Sequence, residues 1–363
     1  MKRIIILIIL LSVFSINVSA QNDKYINFED ELQSSMPDYA RDFFADYDID
    51  FEDGDWAKNF MPENVFNHIL KLFKTGFKKP LKSGSIILSI IIISAAFTSL
   101  GDESEKHTMA LYATVLAVTA IIFSDLWSVL SASVAAIKGC STFMLSFIPI
   151  FCSVSALSST PVSSFSSGTL LLLAAESVNT VASYGIMPIM GCYLSMSIAT
   201  CVSPLVAQSE IVSFFKKTAM WILSLVTTLF LGILGIQSTI ASSADSVALR
   251  TAKFFLGTAV PVAGHALSEA LSTISASVLL LKSSLGVYGI VALTLIMLPI
   301  IIEIIIWRIV LAFCSIVSGV FSLDRIKGIL NAIESMFSVL LGVALLVCGM
   351  FIISLTVVIK SGG

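Results

Sequence analysis

Charged residues are scarce in this chain. Asp, Glu, Lys and Arg together make up 12% of 363 residues, about half the share of an average soluble domain. A water-soluble globular fold is excluded, because too little polar surface is available to cover it. Histidine is scarcer still. His68, His107 and His265 are scattered, and there is no HExxH, GxSxG or Walker A run. The chain therefore reads as no enzyme, with no catalytic, cofactor-binding or metal-ligating set. The six cysteines, Cys140, Cys152, Cys192, Cys201, Cys314 and Cys348, contain no CxxC pair and lie in or beside apolar stretches. They read as small packing residues and supply neither a disulfide framework nor a zinc site. No basic patch suited to DNA or RNA is present, so a nucleic-acid partner is disfavoured. No period of 20 to 50 residues marks a repeat array.

What the chain has is hydrophobic length. Hydrophobic residues make up 56% and the mean hydropathy is +0.97, and apolar runs of about 20 residues cross a bilayer as single helices. The expected fold is an all-α polytopic membrane protein of about seven to eight transmembrane helices. Spans are expected near 85–100, 108–130, 140–158, 169–188, 189–207, 218–240, 285–306 and 331–358. The short polar connector 101–107 makes an antiparallel hairpin of the first two. Gly185, Pro188 and Gly191 interrupt the fourth-to-fifth junction, which suggests a tight turn or a discontinuous helix. Trp127, Trp221 and Trp307 are expected at span ends, where indoles favour the interface. Gly232 with Gly235, and Gly342 with Gly349, are weak signals of close helix contact.

Before the spans come three shorter regions. Residues 1–20 carry Lys2 and Arg3, an apolar run and Val18-Ser19-Ala20, the plan of a cleavable signal peptide; the alternative is an uncleaved first helix. Residues 21–63 hold thirteen acids against three bases, interleaved with aromatics such as Tyr39, Phe43 and Phe44. This extracytoplasmic arm reads either as a docking arm or as a solvated spacer. Residues 64–83 place Val65, Ile69, Leu70 and Phe73 at helical spacing, with Lys71, Lys74, Lys78, Lys79 and Lys82 on or near the other side, as in a basic amphipathic helix lying on a membrane surface. Five lysines favour the cytoplasm, in conflict with the export signal. The polytopic membrane domain occupies 84–363.

Within it, 247–284 is a broken amphipathic element. Arg250 and Lys253 share one face of a short helix that Gly257 and Pro261 stop; Gly264 permits a new turn, after which His265 and Glu269 can pair at i,i+4. Non-helical backbone at membrane depth survives only beside protein or water, so the element is either re-entrant beside a polar pathway or a pair of interfacial helices. Glu176 and Glu303 are the deepest ionisable residues, and a charge at bilayer depth costs about 3 kcal/mol on insertion scales. Glu303 is expected to hold a proton or to pair with Lys282 or Arg308, and Asp125 to sit at an interface.

The block "SADSVALRTAKFFLGTAVPVAGHALSEALSTISASVLLLKSSLGVYGI" resembles the stage III sporulation protein AE family, in which a D-x-x-x-x-R-T-A-K-[FY] run leads through Gly and Pro-Val-x-G into a small-residue helix. The order of signal peptide, polar arm and polytopic remainder is similar too. The resemblance covers about residues 85 to 363 and is specific across 233–290. It implies a multi-pass protein of the mother-cell membrane around the forespore. It also implies a channel or secretion-like complex with the other stage III proteins of one operon, among them a cytoplasmic ATPase and ring-forming proteins, and a forespore membrane partner. A self-contained secondary transporter using the buried acids is the other reading.

Overall fold

The computed structural model describes residues 31–46, 62–100, 105–157, 173, 177–178, 180–202, 210–233 and 264–360. These residues are helical with short turns, and no strand occurs among them. The chain is all-α and polytopic, and six of the described helices are long and apolar enough to cross a membrane. The elements are α1 (Asp38–Asp46), α2 (Pro62–Gly76), α3 (Lys78–Leu100), α4 (Glu105–Leu157), α5 (Met187–Val202), α7 (Gly264–Val320) and α8 (Asp324–Lys360), with α6 (Glu210–Ile233) between α5 and α7.

Two expected spans, 108–130 and 140–158, are halves of the single 53-residue helix α4. The sequence between them, SASVAAIKG, is small but helix-compatible, so nothing stops the backbone. The expected span 285–306 likewise belongs to the 57-residue α7, which begins at Gly264 and runs through Pro299. At ~1.5 Å per residue these helices are ~80 Å long, more than twice the hydrocarbon thickness of about 30 Å. The Gly185–Pro188–Gly191 junction is not a turn. A π-helical segment, Val181–Ile186, runs directly into α5, and the wider turn accommodates Pro188, which lacks the amide for a regular bond.

The core is built on α7. It packs against α8, α4, α3, α2 and α1, and it buries large side chains along its length, among them Trp307, Tyr288 and Ile296, while Ile309, Phe313 and Ile316 are exposed. Trp307 is therefore a core residue and not an interface anchor; its ring stacks on Phe337 with centroids 6.0 Å apart and planes 5° from parallel. Trp127 and Trp221 are exposed on the outside of α4 and α6. The α7–α8 hairpin closes tightly. Leu323 N–H donates to Ser318 C=O and Ser322 N–H to Gly319 C=O, with Ser322 at φ 57°, which is the Schellman pattern with serine in the left-handed position.

Gly232, Gly342 and Gly349 are not close-packing glycines, and Gly235 lies outside the described residues. A Cβ on Gly289 would lie 2.6 Å and 2.9 Å from the Phe147 ring and 3.1 Å from Leu355, whereas Gly232 and Gly349 have nothing within 4 Å and Gly342 makes only an ordinary contact with Leu223. Phe143, Phe147 and Phe151 form an i,i+4 row of rings 5.4 Å and 5.7 Å apart on α4, and Gly289 leaves α7 the room to approach that row.

Residues 31–46 of the acidic arm dock on the bundle. Leu32, Met36, Ala40, Phe43 and Phe44 are buried, Phe44 lies 4.5 Å from Tyr288, and Phe43 meets His68 edge-on at 4.7 Å. At residues 31–46, then, the aromatics bind this chain's own α7 and α2. The apolar side of α2 is taken up by α7 in the same way. Ile69, Leu72, Phe73 and Phe77 pack inward, Gly76 approaches Ile306, and Leu70 is exposed. Helical hydrogen bonds from Phe77 N–H to Phe73 C=O and from Leu81 N–H to Phe77 C=O carry α2 into α3 almost without a break.

Candidate functional site

Polar chemistry in the bundle gathers at one level. Lys79 on α3 pairs with Asp125 on α4 at 3.3 Å, and the same carboxylate accepts from the Ser83 hydroxyl. Glu303 on α7 lies in the electrostatic field of both Lys79 and Asp125. On another face of α7, Arg308 donates to Glu334 of α8 at 3.1 Å. Ser315 pairs with Asn331 at 2.6 Å, and Lys216 of α6 reaches Ser335 at 3.3 Å. Five helices thus contribute to a polar layer around the 303–315 stretch of α7. On α4 it falls between the charge-free runs 108–124 and 139–157.

The pairing partners differ from those the sequence suggested. Arg308 is held by Glu334, not by Glu303, because residues five apart on a helix point in different directions while the antiparallel α8 presents a carboxylate at the right height. Lys282 is buried with its ammonium 6.0 Å from the Phe151 ring centroid, a cation–π arrangement. Asp125 faces into the bundle, whereas Trp127 is exposed on its outside. Only 13% of the Asp125 side chain is exposed, against 50% for Lys79. Arg308 and Glu334 remain about one-third exposed at 36% and 30%. Such half-open charges are incompatible with acyl chains and require water, headgroups or another protein beside them.

Pro299 lies one turn above Glu303. Its ring removes the amide that would bond Leu295 C=O and presses on that carbonyl. At this point the arm helix reaches in. The Tyr39 hydroxyl donates to Ile296 C=O at 2.8 Å. Burial, with the nearby Cys140 adding, pushes the phenol up to about 12, so it stays a protonated donor at physiological pH. A cavity of about 250 Å³ beside the proline is lined by Pro37 and Tyr39 of the arm, by Ala132, Ala135 and Ala136 of α4, and by Glu303. A carboxylate facing a chamber of that size can hold a proton or order a few waters. A second, apolar cavity of about 470 Å³ is lined by Leu173, Val178 and Val181, by Leu229 and Phe230 of α6 and by Met350 of α8.

Of the residues expected to form a pathway, Glu303 falls in this polar layer. Gly264 opens α7, and His265 and Glu269 lie on its first turns; the side chains of that stretch lie outside the described residues, as do Arg250, Lys253, Gly257, Pro261 and Glu176. Sequence reasoning missed Tyr39, Lys79–Asp125 and Arg308–Glu334. Their partners stand 26 to 257 positions apart, and no local spacing announces such pairs.

The comparisons with known proteins bear on the whole of this arrangement. No solved structure matches the chain. The stage III sporulation protein AE of Bacillus subtilis (strain 168) is 25% identical over 324 residues, covering 86% of this chain and 79% of the relative. The sequence profile of the family described as "Stage III sporulation protein AE" matches residues 48–362. With that match running from within the arm to the end of α8, through every helix that builds the polar layer, the chain belongs to the stage III sporulation protein AE family.

Proposed function

We propose that this chain is a non-enzymatic membrane subunit of a channel or secretion-like assembly connecting mother cell and forespore, and that it acts from the mother-cell membrane with its arm on the extracytoplasmic side. Family membership supports the sporulation role. The observation that supports an assembly is the half-open polar layer. Arg308, Glu334 and Lys79 stand partly exposed on the outside of the bundle, and a polytopic protein that keeps such groups needs polar neighbours to cover them. The partners are the other stage III proteins of one operon, including a cytoplasmic ATPase and ring-forming proteins, together with a forespore membrane protein. Energy comes from that ATPase, since no ATP motif is present here.

A self-contained transporter is favoured by one observation, a proline inside α7 with Glu303 one turn on, both lining a cavity, since carriers build their sites where helices are interrupted. Crosslinking and gentle-detergent co-purification from sporulating cells decides. Fixed proportions of the other stage III proteins support the assembly. A lone, stable chain whose solute flux falls on Glu303→Gln supports the transporter.

A further inference from the structure

The apolar cavity on the α6 flank takes no part in the polar layer. It holds about 470 Å³, and Leu225, Leu229 and Ile233 of α6 line it together with Val178, Val181 and Met350. Leu229 is 60% exposed, so the space opens on the outside of the bundle. The hydroxyl in its wall belongs to Ser177 and donates to Leu173 C=O at 2.6 Å. Nothing there is left to hold water, and an apolar cavity stays dry. A helix is about 10–12 Å across, so the space would take only about one turn of it. A methylene is about as large as a water, roughly 30 Å³, so about sixteen fit in a row. That is the size of one fatty acyl chain.

The rest of such a molecule is indicated along α6. This helix is the least enclosed of the six candidate spans, with 17% of its apolar stretch buried, and it carries no charge from Thr218 to Ile233. The run ends at two lysines. Lys216 reaches Ser335, whereas Lys217 is exposed and makes no ion pair among the described residues. Every fourth residue after it, Trp221, Leu225, Leu229 and Ile233, is exposed. Such a row is a ridge inclined about 26° to the helix axis, and it winds from a cation past an indole into the cavity. The order matches one leaflet, with charge at the headgroups, tryptophan at the interface and aliphatic residues below. From Trp221 to Ile233 the rise is about 18 Å, against roughly 15 Å for half a hydrocarbon core. Depth along α6 is set by its own lysine end and does not depend on the apolar runs of α3 and α4.

We propose that this cavity holds one acyl chain of a resident anionic phospholipid whose phosphodiester pairs with Lys217. The site belongs to the chain whether it acts in an assembly or alone. The test uses the full-length chain in phosphatidylglycerol vesicles doped with a phosphatidylglycerol that carries a diazirine in its acyl chain, with cross-links mapped by mass spectrometry. Met350 and Val178 line the cavity but are closed to the surrounding bilayer, at 4% and 5% exposure, whereas Leu345, also on α8, is 53% exposed outside the cavity wall. Ordinary bilayer lipid therefore labels Leu345 first. The expected result is about tenfold more label at Met350 and Val178 than at Leu345. Leu229→Trp, which fills the cavity with an indole, removes that excess and spares Leu345. Lys217→Gln lowers the excess about fivefold and leaves labelling by a phosphatidylcholine analogue unchanged. The proposal is overturned if Leu345 labels more strongly than Met350 in the unsubstituted chain, whether the cavity is then empty or filled by protein. It is overturned equally if Lys217→Gln has no effect, or if a diazirine fatty acid labels Met350 and the phospholipid does not. Should Leu229→Trp fail to fold, the ratio in the unsubstituted chain decides.

Discussion

Tyr39 ties the arm to the bundle at the one place where α7 is weakened by proline. Replacing it with phenylalanine keeps the ring and removes the donor. The expected loss is about 1 kcal/mol, read as faster proteolysis of residues 31–46 with the spans intact. The bond also sets a pH limit. The phenol is raised from 10.0 to about 12 on docking, so its contribution is complete below pH 10 and disappears as pH rises toward 12. Wild-type chain should lose arm protection across that window, and Tyr39→Phe should show no such component. Ser322 gives a second residue-scale expectation. A non-glycine residue at φ 57° carries strain that glycine avoids. Ser322→Gly should therefore stabilise the hairpin by about 1 kcal/mol, measured as a higher unfolding temperature in detergent. Sequence gave no hint of this cap, because the usual glycine is missing.

At the level of helices, packing is decided by where small residues meet large ones. Gly289→Ala pushes a methyl group into the face of Phe147 and should destabilise the α4–α7 contact by about 1–3 kcal/mol. Gly232→Ala, on open surface, should be neutral or slightly stabilising through helix propensity. If both variants shift the unfolding temperature equally, the ring contact is not what fixes the approach of α7. Arg308 and Glu334 can be apportioned by a double-mutant cycle. Glu334→Gln alone should cost about 2 kcal/mol, and adding Arg308→Met should recover part of that loss, since the stranded charge is then gone. That the chain is a set of apolar helices was legible, because hydropathy reads single spans directly. That two of them are fused was not. Residues 131–139 contain small side chains and a lysine, which look like a connector, yet Ser, Ala and Val continue a helix without cost enough to end it.

For the molecule as a whole, the legible part was membrane residence and family; the illegible part was which charges meet. Glu303 was visible as a buried acid, but its neighbours come from α3 and α4, more than 170 positions away, and only the packing of α7 at the centre brings them together. The acidic arm shows the same limit. Its composition describes a solvated chain, while Leu32, Met36, Phe43 and Phe44 recur at helical spacing and are enough to dock it. The segment from Arg250 to Glu269 remains a prediction about function: Arg250→Ala and Glu269→Ala should lower both partner recovery and spore yield, whereas the exposed Cys192→Ser should leave both unchanged. Equal tolerance at all three positions would remove any special role for that element.

The length of α4 and α7 has a mechanical meaning. Each is a long rod interrupted by a single proline, Pro149 in α4 and Pro299 in α7, and they meet where Gly289 approaches Phe147 of the Phe143–Phe147–Phe151 row. A push delivered at the Ser322 turn by a neighbouring protein would travel the full rod as far as Pro299, where α7 can bend, and there it would meet the arm. Pro299 and the Tyr39 contact coincide on α7, so a bend of α7 at that proline would be felt first by the arm helix on its flank.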